Sequence, residues 1–344
     1  MSVATTADAV LSAEELQAVA ARMAAAGVDV AGSLAAARIA GGRSNLTVRL
    51  TDGASTWVMR MPPRAGRTAS AHDVGREFRV TSALFGSGVP VPRPVVLCDD
   101  ESLIGAPFAI AEYVDGQTIQ SREDLDALDA HQADALVPEL VGVLARLHEV
   151  DYVAHGLGGF GRPDGYAARQ LRRWSGQWET VGLADAGSLA DEVVARLGRE
   201  IPPQRHTSVV HGDFRIDNTL VTLDPAPQIS AVVDWELSTI GDPVADVAMM
   251  CVYRHPAFDL IIGSPTAWAS PRLPEPEDLA AAYERAGGVE LADWEFHTAL
   301  AAYKVAVIAA GIDFRYRQGV GRGAGFGTAG QAVVPFLDAA RAVL

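Results

Sequence analysis

The segment His211-Gly212-Asp213-Phe214-Arg215-Ile216-Asp217-Asn218 sets carboxylates and an amide close together, and Asp234 follows Asn218 by sixteen positions within Ala231-Val232-Val233-Asp234-Trp235-Glu236. Phosphoryl transfer from ATP to an alcohol needs such a set. One carboxylate accepts the hydroxyl proton, while an amide oxygen and a second carboxylate hold the magnesium that bridges the phosphates. Asp213 is the candidate base, and Asn218 and Asp234 are the candidate metal ligands. Any one of them alone reads as a turn or capping residue. The four residues between Asp213 and Asn218, the flanking apolar strands and a second Asp at a strand end give the set its meaning. Asp217 is the nearest rival for the base, but its place beside Asn218 favours support of the loop.

The elements around this set must bring its parts together. Leu220-Val221 and Ile229 to Val233 read as strands joined across Asp224-Pro225-Ala226-Pro227, a hairpin that returns Asp234 toward Asn218. Further upstream, Ser12 and Glu15 form a capping box that starts a helix over 13–25. A short strand near Ala37 to Ile39 leads through Gly41-Gly42-Arg43-Ser44-Asn45, where backbone amides could face a phosphate, into a hairpin of Leu46 to Leu50 and Trp57 to Met61. A helix over 72–84 follows, then an extended Pro90 to Pro94 run, a strand at Val95 to Leu97 and another over 107–113. Beyond these, Leu136, Leu140, Val143, Leu144 and Leu147 recur at helical spacing. The spacing predicts a change from strands to helices near Val114 to Thr118, dividing the chain into residues 1–113 and 114–344.

On these residues the chain resembles the aminoglycoside phosphotransferase and choline kinase superfamily, through His211-Gly212-Asp213 with Asn218 and then Asp234. It is similar above all to the phosphotransferase-like domains associated with acyl-CoA dehydrogenases. That likeness rests on Gly41 to Asn45, Arg60 with Pro62-Pro63, His72-Asp73-Val74 with Arg76-Glu77, and Asp234-Trp235-Glu236 with Thr239, Gly241-Asp242-Pro243 and Asp246. The resemblance implies an α+β, two-lobed, protein-kinase-like fold: a small N-terminal nucleotide-binding lobe with an antiparallel sheet, then a larger, mainly helical catalytic and substrate lobe. It implies ATP and Mg2+ as cofactors. It places Arg60 where such kinases carry a lysine that contacts phosphates, with Glu77 as its partner, Ser44 and Asn45 in the phosphate loop, and Glu112 to Val114 as the hinge for adenine. Arginine in place of lysine keeps the charge and offers two donors at once. The resemblance also suggests that Asp246 bonds the backbone of the catalytic loop and that His211 organises the loop rather than acting as base, while Asp242 followed by Pro243 reads by itself as the cap and first position of a helix entered at Val244.

Composition narrows the partners. With 28 basic against 43 acidic residues and a net charge of −15, the chain lacks the basic footprint that nucleic acid requires. Cys98 and Cys251 are its two cysteines and form no CxxC pattern, so neither a disulfide framework nor a zinc site is expected, and a cytoplasmic location fits. The most apolar stretch, Ala299 to Ile312, is interrupted by Lys304 and reads as a buried helix rather than a membrane span. The acceptor is expected to be a small molecule. Arg169, Arg172 and Arg173 share a helix face near Trp174 and Trp178, which suits a polyanion such as a CoA ester, whereas a polycationic aminoglycoside would call for carboxylates. Three readings follow: a kinase acting on a hydroxyl of a small molecule or hydroxyacyl thioester, with a functional link to an acyl-CoA dehydrogenase; an aminoglycoside-type antibiotic kinase; and a non-catalytic nucleotide-binding regulator.

Overall fold

The computed structural model of the protein describes residues 10–39, 45–64 and 73–344, so Ser44, the glycines before it and His72 lie outside the described residues. The capping box at the first helix is formed: Ser12 N–H donates to Glu15 Oε2 at 2.7 Å, and Glu15 N–H donates to Ser12 Oγ at 3.2 Å. Helix α1 (Ala13–Ala25) starts there. The chain divides into two units, one running to Asp115 and taking back Asp234–Glu236, the other comprising Gly116–Val233 and Leu237–Leu344.

In the first unit, β1 (Ala35–Arg38), β2 (Leu46–Thr51), β3 (Thr56–Met61), β4 (Pro94–Cys98) and β5 (Phe108–Glu112) form an antiparallel sheet in the order β1-β2-β3-β5-β4. Helix α2 (Val74–Leu84) lies between β3 and β4 in sequence and is capped by Asp73, whose side chain accepts from Arg76 N–H. Strand alternation sorts β3 cleanly: Trp57, Met59 and Met61 are buried in the core with Val48, Leu50, Phe108 and Ile110, while Val58 and Arg60 take the other face. Each of the buried large side chains contributes roughly 1.5–3 kcal/mol. Arg60 therefore reaches away from the core. Its register partners, Thr47 on β2 and Ala109 on β5, are small enough to leave the guanidinium room.

In the second unit the chain passes through α3 (Arg122–Asp126), α4 (Ala130–Glu149), α5 (Tyr166–Val181), α6 (Gly187–Arg199), α7 (Pro243–Val252), α8 (Phe258–Ile262), α9 (Pro276–Arg285), α10 (Trp294–Arg317) and α11 (Val333–Val343). The leucine and valine stripe of α4 is buried as its spacing requires. Two short antiparallel pairs interrupt the helices, β6 (Ser208–Val210) with β9 (Thr239–Gly241) and β7 (Thr219–Thr222) with β8 (Gln228–Val232). The strand-rich region thus extends past Asp234. Three residues, Thr239-Ile240-Gly241, are too few to show a period in sequence, and only pairing with β6 makes them a strand. Helix α10 is longer than the apolar stretch that signalled it. By length and apolarity alone its 24 residues could cross a membrane, but 72% of its most apolar window is buried inside the protein, as expected of a core helix.

Candidate active site

The loop after β6 is held from beneath by one carboxylate. Asp246, on the first turn of α7, accepts from His211 N–H at 2.6 Å and from Gly212 N–H at 2.7 Å, one oxygen for each donor. The helix that carries it begins where Asp242 Oδ1 accepts Val244 N–H at 3.0 Å, with Pro243 in the first turn. Burial works to raise the Asp246 carboxyl, yet the hydrogen bond and charge of His148, with the contribution of His211, leave it below the ordinary value. His148 on α4 lies with Nε2 3.4 Å from Asp246 Oδ2 and Nδ1 2.8 Å from the Tyr283 hydroxyl. His211 is fully buried, its Nε2 3.0 Å from the Val233 carbonyl, so its ring ties the loop to the end of the β7–β8 hairpin. Gly212 has φ of +82°, and a Cβ there would sit 2.8 Å from the Leu237 carbonyl oxygen, which explains glycine at this position.

Asp213 emerges from this loop with its carboxylate held at both oxygens. Asn218 Nδ2 donates to Oδ2 at 2.9 Å and to the Asp213 carbonyl at 2.8 Å, while Arg215 Nη1 donates to Oδ1 at 3.1 Å. With Nδ2 so committed, the Asn218 side chain keeps Oδ1 as its acceptor end, the atom a cation would use. Arg215 Nε donates to both oxygens of Asp217 at 2.8 Å, and the guanidinium lies 5.2 Å from the Tyr253 ring centroid and 5.3 Å from that of Phe258. Asp217 is engaged in fixing Arg215, which fits loop support better than proton transfer. At the hairpin, Val233 N–H donates to the Asn218 carbonyl at 3.0 Å. Asp234 is the next residue of the chain.

In the first unit, Arg60, Glu77 and Asp234 meet. Arg60 Nη2 donates to Asp234 Oδ1 at 3.2 Å, and its Nε lies 3.2 Å from Glu77 Oε2, within ion-pair range but not aligned for a hydrogen bond. Asn45 is buried and donates through Nδ2 to Glu77 Oε1 at 3.0 Å, so its side chain fixes the glutamate rather than reaching for a phosphate. Carboxylate oxygens of Glu77, Asp234 and Glu236 lie within 4.8 Å of one another. An all-oxygen donor set is the chemistry of magnesium or calcium, not of zinc or copper, so these residues fit the implied metal. Asp234 holds φ of +65°, an unusual conformation for a residue with a Cβ and one that concentrates at functional sites. Burial pushes the Glu77 carboxyl up to about 7, Arg60 opposing and the neighbouring carboxylates Asp234 and Glu236 assisting.

At the end of β5, Glu112 N–H donates to Arg93 O at 2.9 Å and Tyr113 N–H to Thr56 O at 3.2 Å. The Glu112 side chain pairs with Arg93 on the exterior. Among the described residues none accepts the Val114 N–H, the position read from the sequence for an adenine edge.

Comparison with known proteins gives these positions a context. A match to the phosphotransferase enzyme family spans residues 35–300. The chain belongs to that family. It is 33% identical over 297 residues to human acyl-CoA dehydrogenase family member 11, covering 85% of this chain but 38% of that protein, so it spans well under half of this relative's length. A crystal structure of a protein from Ralstonia eutropha, provisionally assigned as an aminoglycoside phosphotransferase, superposes with a TM-score of 0.81 at 32% identity, covering 95% of this chain and 97% of that one. A ternary complex of aminoglycoside phosphotransferase APH(4)-Ia with AMP-PNP and hygromycin B shares the fold at a TM-score of 0.58 and 16% identity, covering 90% and 93%. The kinase-like α+β architecture is thereby established.

Within this phosphotransferase-family chain, three side chains at the site were not legible as site residues. Arg215 is visible in the sequence only as the residue between Phe214 and Ile216, and its double engagement with Asp213 and Asp217 depends on the tight turn of the loop. His148 ends an apolar helix stripe and looks like a core histidine, which it also is. Lys304 donates through Nζ to the Gly212 carbonyl at 3.2 Å. Its one available signal was a charge inside the apolar run of α10, the kind of residue that stays buried only when it has a partner.

Proposed function

We propose that the protein transfers the γ-phosphate of ATP to a hydroxyl group of a small molecule, with Asp213 receiving the hydroxyl proton. The observation that carries this reading is the loop geometry: a partly exposed carboxylate, gripped at both oxygens by Asn218 and Arg215, on a backbone fixed by Asp246. Asp213 orients the acceptor O–H and takes its proton as the oxygen bonds to the γ-phosphorus and the bond from phosphorus to the leaving ADP oxygen breaks. Asn218 and Asp234 are the proposed magnesium ligands. They would hold the ion, which would supply charge neutralisation at the phosphates. Arg60, steered by Glu77, is the proposed phosphate contact, and Glu112 with Val114 the proposed adenine contact through backbone groups.

For the acceptor, a hydroxylated acyl thioester is favoured over an aminoglycoside. Similarity to an acyl-CoA dehydrogenase family member supports a functional link to such an enzyme. On α5, Arg172 is exposed, Arg173 lies 5.3 Å from the Trp174 ring centroid, and Arg169 bonds the Arg162 carbonyl, a basic face that would repel a polycation. The test is ATP consumption by purified protein across hydroxyacyl-CoAs, aminoglycosides, choline and sugars, with Asp213→Ala as the control. Turnover on a hydroxyacyl-CoA that Asp213→Ala abolishes while nucleotide still binds supports the proposal. Undiminished turnover by Asp213→Ala removes it.

A further inference from the structure

The peptide unit that joins Gly212 to Asp213 is held at both of its polar ends. Its carbonyl accepts from Lys304 Nζ at 3.2 Å, and its N–H, that of Asp213, donates to His211 Nδ1 at 3.3 Å. The peptide before it is held from a different element, the Gly212 N–H donating to Asp246 Oδ1 at 2.7 Å. Between the two peptides lies the Gly212 Cα, with φ of +82° and no Cβ. A glycine offers little steric resistance to rotation about ψ, and a rotation there swings the following peptide and re-aims the residue after it. That residue is Asp213. Asn218 and Arg215 bond its carboxylate from the chain ahead, so Lys304 supplies the restraint from the chain behind. The anchor itself is well fixed. Lys304 sits on α10 between the buried Tyr303 and Val305, and its Nζ stands 5.7 Å from the ring centroid of Trp174 on α5. Burial holds the amine below the ordinary lysine value, while Asp213 and Asp246 pull it back up, so the carboxylate next to the anchored peptide also favours the charged form of the anchor. A charged donor on a carbonyl is roughly twice as strong as a neutral one.

We propose that Lys304 is a positioning residue for Asp213: from α10 it locks the Gly212–Asp213 peptide, and so sets the direction in which the Asp213 carboxylate meets the acceptor hydroxyl. This rests on the reading of Asp213 as the residue that receives the hydroxyl proton. The division of labour with Asp246 is clear from the donors each one serves. Asp246 takes the N–H groups of His211 and Gly212 and secures the loop as a whole, whereas Lys304 takes the one carbonyl whose rotation re-aims Asp213. Lys304 acts through the peptide and has no part in holding the nucleotide. Its loss therefore lowers kcat and leaves KM for ATP where it was. A displacement of about 1 Å at a reacting group is enough to cost about a hundredfold in rate.

The experiment compares amide hydrogen exchange at His211, Gly212 and Asp213 in the nucleotide-free full chain, for the parent, Lys304→Met and Lys304→Arg, and adds steady-state kinetics with ATP varied. In Lys304→Met the Asp213 N–H is expected to exchange about tenfold faster or more, while the His211 and Gly212 N–H groups, still bonded to Asp246, keep their protection. Lys304→Arg keeps a charged donor and is expected to restore most of the protection. In turnover, Lys304→Met is expected to lose about tenfold to a hundredfold in kcat with KM for ATP nearly unchanged, and Lys304→Arg to recover most of the loss. Equal loss of protection at all three amides would make Lys304 a residue of general stability and overturn the proposal. Unchanged exchange at Asp213, or an unchanged kcat in Lys304→Met, would overturn it as well. If Lys304→Met does not fold, the parent still decides, since an Asp213 N–H that exchanges as fast as an open loop is not locked. The exchange measurement needs neither ATP nor acceptor. Undiminished turnover by Asp213→Ala would therefore remove the proposed function and leave the lock standing, and an unlocked peptide would remove this role of Lys304 without touching Asp213.

Discussion

Replacing Glu77 by Gln should make the protein more stable at alkaline pH while impairing it as an enzyme. The carboxyl is raised from an ordinary 4.5 to about 7, and its side chain is 9% exposed, so solvent does little to relieve the cost of ionising it. Because the folded value lies above the unfolded one, the stability tied to Glu77 is fully present below about pH 4.5, where both states are protonated. Between about pH 4.5 and 7 the unfolded chain loses the proton first, so stability falls as pH rises. Above about 7 both states are ionised, and the loss has levelled off at 1.36 kcal/mol for each pH step of that interval, about 3 kcal/mol in all. A glutamine has no such dependence and can still accept from Asn45 Nδ2, as Glu77 does. The advantage of Glu77→Gln over the parent should therefore grow by about 3 kcal/mol between pH 4.5 and 8. Thermal unfolding with EDTA present, together with hydrogen exchange of the α2 amides, gives the measurement. If the stability difference between the two proteins stays flat across that range, Glu77 ionises at its ordinary value and the charge balance described for the cluster is wrong. Phosphate transfer should fall in the same variant, since Arg60 loses one of the two carboxylates that hold it.

Arg60→Ala should raise KM for ATP by about tenfold and lower kcat, whereas Arg60→Lys keeps part of the activity, because charge survives and the two-donor geometry does not; steady-state kinetics with ATP varied would refute this if the alanine variant matched the parent. Asp234→Asn should weaken nucleotide binding in the presence of magnesium and leave metal-free binding nearly unchanged, which calorimetry with and without EDTA resolves. An unaltered magnesium dependence counts against the ligand role. Asp246→Asn should cost about 2–4 kcal/mol, because a buried carboxylate that accepts two backbone N–H groups is replaced by an amide with one acceptor oxygen. Chemical denaturation showing less than about 1 kcal/mol would mean that the loop finds other partners.

The parts of this fold legible in the sequence are those governed by local periods and caps. The capping box at Ser12, the alternation of Trp57, Val58, Met59, Arg60 and Met61, and the stripe of α4 each follow from geometry within one element. The same locality made Asp213 and Asn218 readable. Both lie in one eight-residue loop, and their bond at 2.9 Å closes within it. Asp242 was legible for a related reason, as a cap with proline after it, whereas Asp246 was reached only through the family resemblance, since the two N–H groups it receives come from far away in sequence.

What stayed hidden depends on distant partners. Strand β9 exists through its ladder with β6, some thirty residues upstream, and Arg215, His148 and Lys304 acquire their roles only when a loop turn or another helix supplies the acceptor. Asn45 shows the limit most sharply. Its place at the end of a glycine-rich run suggested a backbone amide facing a phosphate and said nothing of the side chain, whose buried amide bonds Glu77, which in turn stands 3.2 Å from Arg60. A polar residue next to a turn is expected to face solvent or ligand, and burial at 2% exposure reverses that expectation, since an amide removed from water must bond a protein group. The Asn45 side chain thus fixes Glu77, the ion-pair partner of Arg60, the proposed phosphate contact. Arg60, placed by strand period, Glu77, placed by helix start, and Asn45, placed by neither, form one chain of contacts ending at Asp234. Perturbing Asn45 should accordingly be felt in the position of Arg60.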